Sequence, residues 1–361
     1  MKPGVKKALK ITGITIGSLL GTVVLLAGTF ILALTAREWK PADEEILEIH
    51  NPQTQKVELG KDYNILSWNI GYCALGKDED FFMDGGTRTR AHNAEEVNNN
   101  IYGITSTTSN KHPDFIFYQE TDLCSHRSMK IDEVNQFRSV FNTFNSTFAF
   151  NYNCDYVPFP IPTLGKVQSG LLTLSRYGIS SAMRKSLPVP FKWPLRIANL
   201  KRCLNISRLP IQGSDKELVL INLHLEAYDD GEGKIAQTKL LLEILSKEYE
   251  AGNYVIAGGD FNQCFSNLDQ SKYPVADGLW KPGLIDIKDF TSIHYQPCVS
   301  DLVPSCRLLN HPLDVDKSKN TYYVIDGFFC SDNIIVNSFE TLDCGFVNSD
   351  HNPTFASFKL A

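Results

Sequence analysis

The chain has 361 residues, 43% of them hydrophobic and 21% charged, so it can bury a substantial core and is not an intrinsically disordered polymer. Its formal charge of −6 is unevenly spread: residues 1–40 hold six basic and one acidic side chain, which leaves 29 basic against 40 acidic, a balance of −11, for the rest. The overall basic footprint of a non-specific nucleic-acid binder is therefore absent, although a locally basic groove within an acidic total stays compatible.

At the start of the chain, Ile11 to Ala36 form 26 consecutive positions without a charge. At 1.5 Å per residue this stretch is long enough to cross the roughly 30 Å hydrocarbon core of a bilayer, and it is too long for the apolar region of an ordinary signal peptide. Lys2, Lys6, Lys7 and Lys10 precede it, whereas Arg37 and Lys40 are mixed with Glu38, Asp43, Glu44 and Glu45. The positive-inside rule then predicts a single-pass protein of the cell membrane, with its N-terminus in the cytoplasm and its large domain outside. A cleaved signal peptide is the rival reading, and Leu34-Thr35-Ala36 lacks the small residue three before the cut. Gly13, Gly17 and Gly21 recur every four residues, which suits a weak homodimer through one helix face or merely reflects the frequency of glycine in membrane helices. The expected organisation is a basic tail at 1–10, a transmembrane helix at 11–36, a polar linker at 37–60 and one large domain at 61–361.

Within that domain, short runs rich in β-branched and aromatic residues predict strands at Tyr63 to Leu66, Phe115 to Phe117, Ser169 to Leu174, Leu218 to Ile221, Tyr254 to Ala257, Thr321 to Phe329 and Thr354 to Phe358. Helices are predicted at Ala91 to Thr108 and Lys234 to Tyr249, the second with Ile235, Leu240, Leu241, Ile244 and Leu245 at core-facing spacing. Ser271 to Lys319 is Pro-rich and poorly periodic, and reads as a surface loop at the substrate entrance. The alternation of strands and helices argues an α/β or α+β fold. Nine cysteines without a Cys-x-x-Cys pair give no zinc ribbon or thioredoxin motif; Cys298 and Cys306 share one loop and are candidates for a bridge.

Five polar clusters close apolar runs: Ser67-Trp68-Asn69, Tyr118-Gln119-Glu120, Asn222-Leu223-His224, Gly258-Gly259-Asp260-Phe261-Asn262 and Ser349-Asp350-His351-Asn352. Side chains at neighbouring strand ends converge in a layered sheet, and carboxylates, amides and imidazoles gathered at one rim suit a hard divalent cation and a phosphate. Asp260 and Asn262, one residue apart, point to the same side if strand geometry persists, and Gly258 and Gly259 remove bulk beside them.

In order along the chain, Trp-Asn, Gln-Glu, Asn-x-His, Gly-Gly-Asp-x-Asn, Ile-Asp-Gly and Ser-Asp-His resemble the endonuclease/exonuclease/phosphatase superfamily, over about Tyr63 to Phe358. The resemblance implies a DNase I-like, four-layer α/β sandwich of two packed mixed sheets flanked by helices. It implies Mg²⁺, with Mn²⁺ as an alternative, near Asn69, Glu120 and Asp350. It pairs His351, a general acid or base, with the upstream acid Asp326 of Val324-Ile325-Asp326-Gly327. His224 matches the second family histidine, and Asp260 with Asn262 would orient water and hold a phosphoryl oxygen. Arg127, Arg202 and Arg208 are candidates for phosphate contacts because a guanidinium matches phosphate geometry. The loop Asp80-Phe81-Phe82-Met83-Asp84-Gly85-Gly86 resembles one found in membrane-anchored bacterial members.

The function expected from these residues is metal-dependent hydrolysis of a phosphoester by in-line attack of water, on nucleic acid or on a phospholipid head group. The alternative is a catalytically silent binding or scaffold module on the same fold.

Overall fold

The computed structural model describes residues 2–229 and 231–361. Strand alternation builds two mixed sheets. One has six strands in the spatial order Ile334–Thr341, Thr354–Leu360, Asp62–Asn69, Phe115–Asp122, Gly165–Ser175 and Asn145–Val157. The other has seven, in the order Glu44–Ile46, Ser181–Ser186, Cys203–Pro210, Glu217–His224, Tyr254–Asp260, Asp326–Ser331 and Tyr295–Cys298. Each sheet carries a parallel pair at its centre, with Asn69 beside Gln119 in one and His224 beside Asp260 in the other. Those two pairs bring the predicted polar strand ends to one rim.

The period of two sorts each strand's side chains between layers. Tyr63, Ile65, Phe115 and Phe117 point inward and meet Leu218, Leu220, Ile256 and Phe328 between the sheets. Their sequence neighbours Leu66, Trp68, Ile116 and Tyr118 face outward, against Val97, Ile101 and Ile104 of the helix Ala94–Asn110 and Phe137 of the helix Glu133–Val140. On the far side, Val219, Ile221, Val255 and Ala257 cover Leu241 and Leu245 of the helix Glu232–Glu250, and Phe329 stacks on Phe290 of the helix Ile287–Thr291 at 3.7 Å between ring centres. Helix, sheet, sheet and helix are the expected four layers.

Local chemistry sets the boundaries. The helix predicted from Ala91 starts at Ala94 because the Asn93 side chain accepts from the backbone N–H of Glu96 and caps it. Ile235, expected in the core, is exposed near the start of its helix, to the side of the buried stripe that carries Leu241 and Leu245. The run predicted as one strand from Thr321 to Phe329 is two, Tyr322–Tyr323 and Asp326–Ser331.

Three expectations are corrected. The stretch from Ser271 to Lys319 is not a plain loop: it contains the strand Gly283–Ile285, the helix Ile287–Thr291 and the sheet-edge strand Tyr295–Cys298. Pro297 hides that strand in the sequence and is tolerated because an edge strand leaves one row of backbone groups unpaired. Cys298 lies diagonally across the strand pair from Cys330, with the sulfurs 3.8 Å apart, and is not bridged to Cys306; all nine cysteines are free thiols. Residues 37–60 are not a detached linker, because Glu44–Ile46 pairs with Ser181–Ser186, Leu47 N–H donates to Ala182, and Val57 bridges to Ile211.

The N-terminal helix runs from Pro3 to Ala36 and is long and apolar enough to cross a membrane. Gly13, Gly17 and Gly21 fall on it with open space beside them. Its end is fastened to the domain. Glu38, with its side chain only 1% exposed, pairs with Arg196 at 2.9 Å and Lys201 at 3.5 Å, and Trp193 Nε1–H donates to Thr35 Oγ1 at 3.2 Å. Trp39 packs on Phe150, under the guanidinium of Arg184.

Candidate active site

Beneath the rim, the two sheets are joined by amides rather than by apolar side chains. Gln119 Nε2–H donates to Asn222 Oδ1 at 2.8 Å and to Ser67 Oγ at 3.1 Å, and Asn222 Nδ2–H donates to Leu172 O at 3.1 Å. This floor fixes the register of both parallel strand pairs just below their functional ends.

Glu120 follows Gln119 at φ +56°, where the ladder to Gly165–Ser175 shifts between Tyr118 and Thr121. The extra residue of this bulge turns the carboxylate out of the strand and into the cleft. Asn262, at φ +50°, is the second residue of the centre in the left-handed region. That conformation costs a non-glycine residue about 1–2 kcal/mol and persists only where the surroundings impose it. Gly259, at φ +141°, has no such choice, because a Cβ there would stand 2.0 Å from Leu223 O.

Asp260 is the hub. Its Oδ1 accepts from Asn262 N–H at 2.8 Å, and its Oδ2 accepts from Asn69 Nδ2–H at 2.9 Å, with His224 Nε2 at 3.3 Å and His351 Nε2 at 3.7 Å. The antiparallel pairing of Asp326 directly opposite Asp260 places the second acid. His351 Nδ1–H donates to Asp326 Oδ2 at 2.8 Å, and Ser305 Oγ–H donates to the same oxygen at 2.7 Å. That bond selects the tautomer and leaves Nε2 facing Asp260 and the cleft. Trp68 Nε1–H donates to His351 O at 2.8 Å and holds the loop in place.

Burial, added to the like charge of Asp326, raises the Asp260 carboxyl to about 7. Burial also raises Asp350 to about 6, with the His351 charge opposing it. Burial works against the imidazolium of His351, but Asp326, Cys306 and Asp350 around it push it well above its ordinary value. His224 goes well below, through burial first and Arg202 second, and is neutral near pH 7. The two histidines therefore differ in charge: one is a cation lining the cleft, the other a neutral imidazole.

The donors fit a hard divalent cation. Glu120 and Asp350 line the cleft beside Asp260, and Asp260, Asp326 and His351 place ligand atoms within 4.8 Å of one another. Buried carboxyls held above their usual range would be brought down by a bound divalent cation. Asn69 departs from the expectation. Its Oδ1 accepts from Gly71 N–H at 3.1 Å, so its amide N–H groups, not its oxygen, face Asp260 and, at 3.4 Å, Glu120. It orients the acids.

Of the three arginines, Arg127 and Arg202 line the cleft and Arg208 does not. Arg127 is buried, paired in a fork with Asp122 at 2.9 and 3.1 Å, stacked on Tyr72 at 3.7 Å and 3.8 Å from Glu120. Arg202 is paired with Glu226 at 3.3 Å and donates to His224 O at 3.2 Å. Both line the cleft with their charge already matched. Arg208 is outside it, on the strand Cys203–Pro210 between Glu217 and Glu248. Alternation and partner identity decide these outcomes, and neither is visible in a lone arginine. Arg208→Ala should leave kcat/KM within about twofold and cost no more than about 1 kcal/mol in thermal unfolding, as for a part-exposed ion pair; a tenfold loss of activity would return it to the site.

Sequence reasoning missed Ser305, Asp84 and Tyr228. Ser305 lies in the unperiodic stretch and carried no signal, while Asp84 belongs to the loop Asp80–Gly86 that had been singled out. Tyr228 O–H donates to Asp84 Oδ1 at 2.8 Å across the cleft, and burial raises the Asp84 carboxyl.

Among solved structures the fold recurs. An endonuclease/exonuclease/phosphatase from Beutenbergia cavernae is 14% identical, covers 83% of this chain and 72% of its own, and superposes with a TM-score of 0.55. One from Bacteroides vulgatus is 14% identical over 83% of this chain and 100% of its own, with a TM-score of 0.52. A protein of Enterococcus faecalis, described as functionally unknown, is 15% identical over 82% and 100%, also at 0.52. No protein-family model matches the chain, and no curated protein does. The chain has a DNase I-like fold. It is the fold of the endonuclease/exonuclease/phosphatase structures, as its strand-end motifs imply.

Proposed function

We propose that this chain is a membrane-anchored, divalent-metal-dependent hydrolase of phosphoesters. The observation that carries the reading is the hub: one buried carboxylate, Asp260, meets Asn69, Asn262, His224 and His351 within 3.7 Å, and His351 is fixed from behind by Asp326. A scaffold module has no need of two buried acids in register and two histidines held in different charge states.

Glu120 and Asp350 would hold Mg²⁺, or Mn²⁺, which supplies Lewis-acid stabilisation of the phosphoryl oxygens when bound. Asp260, with Asn262 fixing its second oxygen, orients the attacking water and accepts its proton. The new bond joins water oxygen to phosphorus as the opposite P–O ester bond breaks. His351 as imidazolium offsets the negative charge that grows on the phosphoryl group, and neutral His224 donates a hydrogen bond to a phosphoryl or departing oxygen. No nucleophilic Ser or Cys takes part and no covalent intermediate forms.

Lys2, Lys6, Lys7 and Lys10 before the helix support a cytoplasmic N-terminus and a catalytic domain, residues 61–361, outside the membrane. The test uses the full-length protein with bis-p-nitrophenyl phosphate. Turnover should require Mg²⁺ or Mn²⁺, stop with EDTA and fall at least about 10²-fold in Glu120→Ala. Undiminished hydrolysis in EDTA, or in Glu120→Ala, would overturn the metal-dependent reading.

A further inference from the structure

The cleft, about 720 Å³, has a polar floor and an apolar wall, and part of the wall is the N-terminal helix. Asp260, His351 and Glu120 line it, and so do Ala27, Phe30, Ile31 and Leu34 of that helix. The helix is not a loose neighbour. Its end is fastened through Thr35 and Glu38, and Phe30 meets Tyr156 edge-on at 6.1 Å.

Length sets where that wall stands. About 20 helical residues cross a hydrocarbon core, so a span that begins after Lys10 leaves it near Phe30. Ala27 to Leu34 then lie at the outer membrane–water boundary. Around them the domain exposes apolar side chains: Phe159 at 71%, Ile161 at 87% and Leu195 at 68%, with Trp193 beside Thr35. Phe159 and Leu195 line the same cleft as the helix. Such groups cost free energy in water and are favourable in the interfacial layer.

Charge argues against nucleic acid, the other large class of phosphoester. Among the described residues, Arg127, Arg202 and Arg307 are the only basic Lys or Arg side chains lining the cleft. Arg127 and Arg202 are matched by carboxylates, and Arg307 donates to the carbonyls of Gly76, Glu79 and His311. None is free to replace the counterions of a nucleic-acid backbone.

Resting on the phosphoester-hydrolase reading above, we infer that the substrate is a phospholipid of the bilayer that holds the helix. It enters from the side, with its phosphate at Asp260 and His351 and its acyl chains between the end of the helix and the loops of Phe82, Phe159 and Leu195. Water adds to phosphorus and gives its proton to Asp260, one P–O ester bond of the lipid breaks, and the departing oxygen takes a proton from His351 Nε2.

The full-length protein is reconstituted with Mg²⁺ in vesicles of phosphatidylethanolamine, phosphatidylglycerol and sphingomyelin, and lipid products are read by mass spectrometry. Bis-p-nitrophenyl phosphate and single-stranded DNA are assayed beside them. The variant Phe159→Asp/Leu195→Asp changes two exposed positions of the apolar wall, neither of them a hydrogen-bond partner of Asp260, Glu120 or His351. Lipid should be hydrolysed, and because acyl chains must desolvate the new carboxylates, the variant should lose at least about tenfold on lipid while keeping the small diester within about twofold. If the small diester is hydrolysed but lipid is inert, or lipid turnover is equal in the variant, or DNA is cut in preference to lipid, lateral entry is overturned and the catalytic reading stands. If the wild type hydrolyses none of them, the catalytic reading falls and takes this one with it.

Discussion

Replacing His351 with alanine should lower kcat on a small phosphodiester by about 10²–10⁴-fold with little change in KM, the span that a positioned acid or base contributes to a transition state. The magnitude follows from geometry: Nε2 faces the reacting region while Nδ1–H is tied to Asp326 at 2.8 Å. Asp326→Asn should approach the same loss, since an amide N–H₂ facing Nδ1 forces the other tautomer. Combined, the two substitutions should cost little more than His351→Ala alone, because they remove one unit. Steady-state kinetics on the four proteins, with circular dichroism to verify folding, decides it. Multiplicative losses in the double variant would mean that Asp326 acts on its own, through Ser305 or the substrate, and not through His351.

Arg127→Ala should carry the largest stability cost, about 3–5 kcal/mol, because it strands a buried carboxylate. Asp122 is completely buried and receives both arms of the guanidinium as well as Ser128 Oγ–H at 2.9 Å. Arg127→Lys keeps the charge but loses the fork and the stack on Tyr72, and should fall between wild type and Ala. Activity should drop in both, because Glu120 loses the cation 3.8 Å away and the bulge loses its brace. Chemical unfolding of the three proteins provides the test. An Arg127→Ala protein as stable as wild type, yet inactive, would make this arginine a substrate ligand instead.

Much of the site was legible in the sequence for one physical reason. A strand that stops at a polar cluster must deliver it to the sheet's rim, so Glu120, His224 and Asp260 could be placed near one another before any contact was known. What the amides and arginines do there was not legible. Asn69 reads as an oxygen donor until the N–H of Gly71 claims that oxygen, and Arg202 reads as a phosphate ligand until Glu226 is seen beside it. Both outcomes hang on a partner close in space that no spacing rule marks as decisive. Edge strands were the weak point of the fold reading. Glu44–Ile46 and Tyr295–Cys298 are short, polar or interrupted by proline, the features that keep an edge from pairing with other chains and also erase its periodicity.

The clamp at Glu38 has a bearing on how such a protein meets its substrate. A domain on a flexible tether sweeps a volume and answers to the concentration of molecules dissolved around it. With Arg196 and Lys201 both holding one buried carboxylate, the domain is coupled to the end of its helix, and under the proposed anchoring its mouth would keep a fixed height. For a helix seated in a bilayer, encounter becomes a search in two dimensions. The rate is then governed by how many target molecules occupy each unit of area, and diluting the surface would slow it where diluting the surrounding water would not.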